Sequence, residues 1–387
     1  MKKIAIGQAG GPTSVINATL VGFVKQTMSK CSLSFIRNGY DGLVHGEFIE
    51  GNDTTLQWIT QHEKVPGACL GSGRYPLSDE EIEKAVRILR EKRIDALVFI
   101  GGNGTMEALY KVGVEANRQG YDLQVIGLPK TVDNDLGCTD HAPGFGSAAK
   151  YVAQTTRDMS RDLHAMQNFE QVRILETMGR NAGWLAAASG FLKTYEEEGP
   201  HFIALPERQM NHEKLLQSVE TALYRYGFAI VVVSEGVLWN QGAQVERDVV
   251  GGRSVLGGIS KEIELYLKQE LNIMARSELL GMNQRSYSLA VSSVDQSEAY
   301  FVGVTGADWI KEGRSGLMVA IERTKGLAYS IHLKPVALGA VVRAGERVMP
   351  DQFIDNLKSY YEWLEPIIGD HVSPYPPLFQ MRDVKSS

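Results

Sequence analysis

Cysteine is scarce in this chain: Cys31, Cys69 and Cys138 are the only three among 387 residues, and no two form a C-x-x-C pair. A disulfide framework is excluded as the source of stability, and reduced thiols are expected. None of the three has a visible partner for nucleophilic chemistry. Long apolar runs are absent too, and no stretch reaches the ~18 residues of a membrane-spanning helix. Positive charge is not in excess, because 40 Lys and Arg face 46 Asp and Glu for a net charge of -6. The chain lacks the basic footprint of a nucleic-acid binder, so any phosphate must be held by local cations and backbone amides. The eight histidines show no metal-ligand spacing. No low-complexity linker separates one half from the other.

What the chain does have is 43% hydrophobic and 22% charged residues, an ordinary composition for a globular enzyme, over a length sufficient for two domains. Met1-Lys2-Lys3 runs straight into an apolar strand rather than a signal peptide, and a cytoplasmic location is expected. Short β-branched runs read as buried parallel strands, among them Leu123 to Leu128, Val172 to Leu175 and Ala229 to Val233. Between strands, Ser78-Asp79-Glu80-Glu81 forms a capping box ahead of Ile82, Ala85, Val86 and Leu89, which predicts a helix ending near Lys92-Arg93. The second half repeats this alternation, with strands ending at Met178-Gly179-Arg180 and Ser234-Glu235-Gly236. That pattern predicts an α/β protein whose two layered halves face a cleft lined by strand ends. The polar segment Gln380 to Ser387 has no periodicity and is expected to form a loosely held tail.

The richest chemistry follows the run Leu123 to Leu128. Pro129-Lys130-Thr131-Val132-Asp133-Asn134-Asp135 places a cation, a hydroxyl and two carboxylates at a strand's carboxyl end, where open α/β sheets bind ligands. Lys130 can neutralise a transferring phosphoryl group, Asp133 can accept a hydroxyl proton and Asp135 can hold or orient a metal. By itself the segment reads equally well as a polar turn with capping aspartates. Two further strands lead into glycine turns, Gly10-Gly11-Pro12-Thr13-Ser14 and Gly101-Gly102-Asn103-Gly104-Thr105. Glycine admits close approach of backbone N–H groups, and a following helix N-terminus favours an anion. Neither turn is a P-loop or a Rossmann fingerprint. Three such turns in the first third of the chain point to a phosphorylated ligand.

These motifs resemble the phosphofructokinase superfamily. The resemblance also rests on Ile16-Asn17-Ala18, Leu70-Gly71-Ser72-Gly73-Arg74, Pro143 to Ala149, Glu176 to Trp184, Ser234 to Val237 and Gln284-Arg285. Lys130, Asn181 to Trp184 and the Pro12-Thr13 form of the first loop resemble the short pyrophosphate-type branch. The resemblance implies two Rossmann-like three-layer α/β/α domains with mainly parallel sheets and the active site between them. Residues 1–145 with about 285–340 would form the phosphoryl-donor domain, and about 146–284 with 341–387 the sugar-phosphate domain, as the family's repeated crossing of the chain implies.

Carried over residue by residue, the family chemistry makes Asp133 the base for the 1-hydroxyl of fructose 6-phosphate, giving fructose 1,6-bisphosphate in glycolysis. Lys130, Thr131 and Arg180 would bind the transferring group. Gly11, Arg74, Tyr75, Gly102, Asn103, Gly104 and Thr105 would surround the donor. Met178, Gly179, Glu235, Arg276, Met282 and Arg285 would meet the sugar phosphate, the two arginines through its 6-phosphate. Magnesium is the expected cofactor, with Asp135 as a possible ligand; Asn103 stands where ATP enzymes carry a metal-binding aspartate, and its neutral amide is a poorer one. A homodimer or homotetramer is expected, with no nucleic-acid or membrane partner.

The donor signals conflict. A lysine at the Lys130 position belongs to pyrophosphate enzymes, which also carry an aspartate at the Gly104 position, where it occupies the space of an ATP α-phosphate. Here that side chain is missing, and ATP is the expected donor with pyrophosphate the alternative. Met282 and Gln171 replace a histidine and a neighbouring subunit's arginine that hold the 6-phosphate in bacterial ATP enzymes, so a different sugar phosphate is an open acceptor. Val21 and Lys25 replace two effector-binding arginines, so allosteric control of that kind is not expected. A noncatalytic sensor or regulatory subunit is the reading from another class, and retention of Asp133 with its neighbours argues against it.

Overall fold

The computed structural model describes residues 1–239, 242–250, 253–326 and 328–378. The expected C-terminal tail, Gln380 to Ser387, lies outside the described residues. The strands in chain order are β1 (Lys3–Gln8), β2 (Ser32–Ile36), β3 (Phe48–Glu50), β4 (Ala96–Gly101) and β5 (Gln124–Pro129). They continue as β6 (Val172–Thr177), β7 (Phe202–Ala204), β8 (Ala229–Ser234), β9 (Glu246–Val250), β10 (Arg253–Leu256) and β11 (Ala275–Leu279). The last two are β12 (Leu317–Arg323) and β13 (Ile331–Ala337).

The chain divides into two compact units, one of residues 1–148, 285–347 and 366–369, the other of 149–284, 348–365 and 370 onward. In the first, seven strands run in the order β13-β12-β5-β4-β1-β2-β3. All neighbours are parallel except the outer pairs β2/β3 and β12/β13. Successive side chains on the central strands alternate between two cores, as the two-residue period of a strand requires. Leu97 and Phe99 pack with the helices Asp79–Glu91 and Asn103–Arg118 on one face, while Val98 and Ile100 pack with Ile16–Thr27 and Ser293–Lys311 on the other. This face-by-face burial is why β4 and β5 read as continuous apolar runs. The capping box at Ser78 and Glu81 forms as the sequence predicts, and its helix is capped at Lys92.

The second unit contains a parallel four-stranded sheet, β11-β6-β8-β7, and the antiparallel pair β9/β10. Val172, Ile174, Val231 and Val233 pack against the helices His212–Tyr226 and Ile259–Leu271. Cys31, Cys69 and Cys138 are all free thiols. Among the described residues no helix is long and apolar enough to cross a membrane.

Candidate functional site

In the first unit the adjacency β5-β4-β1 brings the two glycine turns and the Lys130 to Asp135 segment together at one sheet edge. Ala9 N–H donates to the Ile100 carbonyl at 2.9 Å and Lys130 N–H to the Gly101 carbonyl at 2.9 Å, which ties the turns at their bases. Gly10 N–H donates to the Gly73 carbonyl at 2.9 Å, and the Ser72 hydroxyl donates to the Gly10 carbonyl at 2.6 Å. The Gly71 to Arg74 segment is thereby drawn to the same edge.

Lys130 is 2% exposed, and its ammonium donates to the Gly11 carbonyl. Burial pushes its pKa down to about 8; the Asp133 carboxylate opposes this, while the Arg74 and Arg285 guanidiniums add to it. Arg285 is likewise lowered by burial and by Arg74, with Asp133 acting the other way. Three cations thus act on one another here, and the Asp133 and Asp135 carboxylates offset part of their charge. Such a cluster is electrostatically relieved by an incoming polyanion.

The loop itself is braced from within. The Thr131 hydroxyl donates to Asp135 Oδ1 at 3.0 Å and accepts from the Asp133 N–H at 3.2 Å. Asn134 sits in the left-handed region at φ 53°, and its Oδ1 accepts from Ala142 N–H at 3.2 Å. Asn103 Nδ2 donates to the Asp135 carbonyl at 3.0 Å. Burial and the Glu346 carboxylate raise the Asp135 pKa, while the bonds from Thr131 and Asn103 oppose the rise. Among the described residues no group of three His, Cys, Asp or Glu is placed to hold a metal ion. Asp135 and Asn103 offer hard oxygen atoms, which suit a magnesium ion whose remaining ligands are donor phosphates and water.

The other expected donor residues fall nearby with differing surroundings. Gly102 caps the helix Asn103–Arg118, and Gly104 lies in its first turn with nothing within 4 Å of where a Cβ would stand. The Thr105 carbonyl is taken by the buried Tyr40 hydroxyl at 2.8 Å. The Tyr75 hydroxyl is engaged by Glu81. Of the two residues read as replacing effector-binding arginines, Val21 is buried in the core and Lys25 pairs with Glu63 at 2.7 Å.

In the second unit, pairing of β6 with β8 puts Met178, Gly179 and Arg180 beside Glu235, whose N–H donates to the Thr177 carbonyl at 2.9 Å. Gly179 has φ 128°, and a Cβ there would lie 2.5 Å from the Ala182 carbonyl oxygen, so only glycine fits this turn. Arg276 on β11 pairs through Nε with Glu170 at 3.6 Å, and Glu170 also accepts from Arg173 Nε at 2.9 Å. The Gln171 amide is used inside the chain, accepting from Met274 N–H at 3.0 Å and donating to the Gln167 carbonyl at 3.2 Å. Met282 is 60% exposed. Arg276 and Arg285, expected together on one phosphate, belong to different units, and Arg285 lies with the residues expected around the donor.

Two supporting residues carried no individual role in the sequence. The Glu176 carboxylate, 4% exposed, accepts from the Gly258 and Ser260 N–H groups and from the Ser260 hydroxyl. The Gln284 side chain accepts from Met178 N–H at 3.0 Å and thereby fixes the turn before Arg180. A carboxylate directly after the apolar pair Ile174-Leu175 was the signal for the first; the second had none beyond its motif.

Comparison with known proteins fits this arrangement. The chain is 50% identical over 366 residues to a sulfofructose kinase from Alkalicoccus urumqiensis, covering 95% of each. It is 35% identical to a pyrophosphate–fructose 6-phosphate 1-phosphotransferase from Xanthomonas campestris pv. campestris, covering 90% of this chain and 85% of that one. Among solved structures, a pyrophosphate-dependent phosphofructokinase from Marinobacter aquaeolei superposes with a TM-score of 0.84 at 32% identity, over 98% of this chain and 94% of that one. With residues 3–310 matching phosphofructokinase as a family, the chain belongs to the phosphofructokinase family and is one of its phosphotransferases.

Proposed function

We propose that the protein transfers a phosphoryl group from ATP to the 1-hydroxyl of sulfofructose, with Asp133 as the base. The single observation that carries the transfer is the cluster of Lys130, Arg74 and Arg285, which act on one another's charge, with the Asp133 carboxylate acting on both Lys130 and Arg285. Asp133 takes the hydroxyl proton as that oxygen attacks the terminal phosphorus in line, and the cations offset charge on the donor. Thr131 keeps the loop in register through Asp135 and the Asp133 amide. Arg180 neutralises the transferring group, and Glu235 accepts hydrogen bonds from sugar hydroxyls. Magnesium supplies charge neutralisation on the donor phosphates, with Asp135 and Asn103 the residues suited to hold it. The first unit then serves the donor and the second the acceptor.

The acceptor is supported by the 50% identity to the sulfofructose kinase and by the neutral side chains of Met282 and Gln171. A sulfo group carries one negative charge, whereas a phosphate monoester carries about 1.5 to 2 near neutral pH. An anion site with two fewer cationic or polar groups suits the weaker charge. ATP as donor rests on the open space at Gly104. Fructose 6-phosphate is the second reading, favoured by Arg276, a guanidinium fork kept on the edge strand β11.

The test is kcat/KM for sulfofructose and for fructose 6-phosphate, each with ATP and with pyrophosphate, on one preparation of the protein. Sulfofructose with ATP should be preferred by at least about tenfold, a difference of about 1.4 kcal/mol in transition-state binding. Preference for fructose 6-phosphate would overturn the acceptor, and preference for pyrophosphate the donor. Activity with no pair would favour a noncatalytic sensor.

A further inference from the structure

His141 lies six residues beyond Asp135 in the sequence and is fully buried. Both ring nitrogens face carboxylates: Nδ1 is 2.9 Å from Asp140 Oδ1 and Nε2 is 2.6 Å from Glu298 Oε2. A neutral imidazole can donate through only one nitrogen, so this double acceptor setting calls for the imidazolium. Burial pulls the ring toward neutrality, yet the hydrogen bonds to Asp140 and Glu298 prevail and hold its pKa up at about 9. Charged or titratable neighbours come from several packed elements. Glu298 and Asp295 come from the helix Ser293–Lys311, Arg323 from β12, Tyr329 from the turn after it, and Arg347 from the segment beyond Ala344. The Tyr329 hydroxyl donates to Glu298 Oε1 at 2.6 Å, and Arg323 reaches Asp140 at 3.4 Å.

The three residues after His141 are what the catalytic loop closes upon. Ala142 N–H donates to Asn134 Oδ1 at 3.2 Å, Thr131 N–H donates to the Pro143 carbonyl at 3.2 Å, and Thr131 bridges to Gly144. The helix that carries Glu298 is itself immobilised: a Cβ on Gly303 would stand 2.0 Å from the Thr19 carbonyl oxygen, so the helix backbones are in contact there. We propose that His141 is a positioning residue which, clamped as an imidazolium between Asp140 and Glu298, anchors residues 142–144 and through them sets the place of Asp133. This rests on the reading of Asp133 as the base.

The sign follows from the partners. An imidazolium that gains partners on folding stabilises fully below its unfolded value of about 6.5, and the contribution is lost as pH rises through about 9. Glu298→Gln keeps the size of the side chain but removes one charge, so the ring should lose its proton at lower pH. We expect the variant to show near wild-type kcat at pH 6.5. By pH 8.5 it should fall about threefold below wild type, the effect of lowering a pKa of about 9 by roughly one unit, with KM for both substrates unchanged. Titrations shared with the wild type, such as that of Lys130, cancel in the comparison. A kcat lowered by the same factor at every pH, or unchanged throughout, would overturn the proposal. Should the variant not fold, imidazole nitrogen NMR on the wild-type protein decides, and a neutral His141 ring at pH 7.5 would overturn it. Turnover retained by Asp133→Asn would sink the base assignment while leaving the His141 charge measurement standing, so the two failures are separable.

Discussion

The guanidinium of Arg285 lies against the bare Cα of Gly11: a Cβ on that glycine would stand 2.7 Å from Nη1. The obstructed atom is the far end of a flexible side chain, so Gly11→Ala should fold and displace the guanidinium instead. The expected outcome is a donor KM raised about tenfold, or about 1.4 kcal/mol, with an unchanged melting temperature. If steady-state kinetics show the acceptor KM rising instead, Arg285 belongs to the sugar's acidic group, as the family resemblance implies.

Gly104→Asp tests the donor. The position is in the first turn of its helix, where an acidic side chain favours the helix by about 0.3–1 kcal/mol, and there is open space for it. Thermal unfolding should therefore show no loss of stability. kcat/KM for ATP should fall at least about tenfold, while that for pyrophosphate holds or rises. Unimpaired use of ATP would remove Gly104 from the donor site.

Lys130 is charged at a cost. Its folded pKa of about 8 lies below the ordinary 10.5 because of burial first. Between those values the unfolded chain binds the additional proton, so this residue's contribution to stability improves as pH rises and is poorest below about 8. In the ligand-free protein, Lys130→Met should gain on the order of 1–3 kcal/mol at pH 7, with the gain shrinking toward pH 10, and donor affinity should collapse. Denaturation curves at the two pH values would reveal the reverse trend if the buried charge were satisfied.

Glu176→Ala addresses the second unit. It strips an acceptor from the Gly258 and Ser260 N–H groups and the Ser260 hydroxyl at the start of the helix Ile259–Leu271. The cost is on the order of 2–4 kcal/mol, read as a lower melting temperature. A loss under ~0.5 kcal/mol would show that water replaces the carboxylate.

Much of the first unit was legible because its signals are local. β1, β4 and β5 announce themselves by apolar runs, the glycine turns follow at once, and Ser78 with Glu81 reads as a capping box from four consecutive residues. The strands that resisted reading are short or lie at sheet edges. β3 has three residues, and β13 mixes exposed and half-buried side chains without a fully buried one. Contacts across long separations were illegible for a different reason: nothing near His141 in the sequence names Glu298, 157 residues away.

The empty surroundings of Gly104 bear on how such proteins diverge. Most positions near a phosphate site are locked by packing, so a change of specificity must be accompanied by repair elsewhere. Here a side chain can come or go without disturbing the core, and aspartate is one nucleotide away from glycine in the genetic code. On the proposed role of Gly104 in choosing the donor, a lineage could exchange one energy-rich phosphate for another by a single step that folding does not oppose.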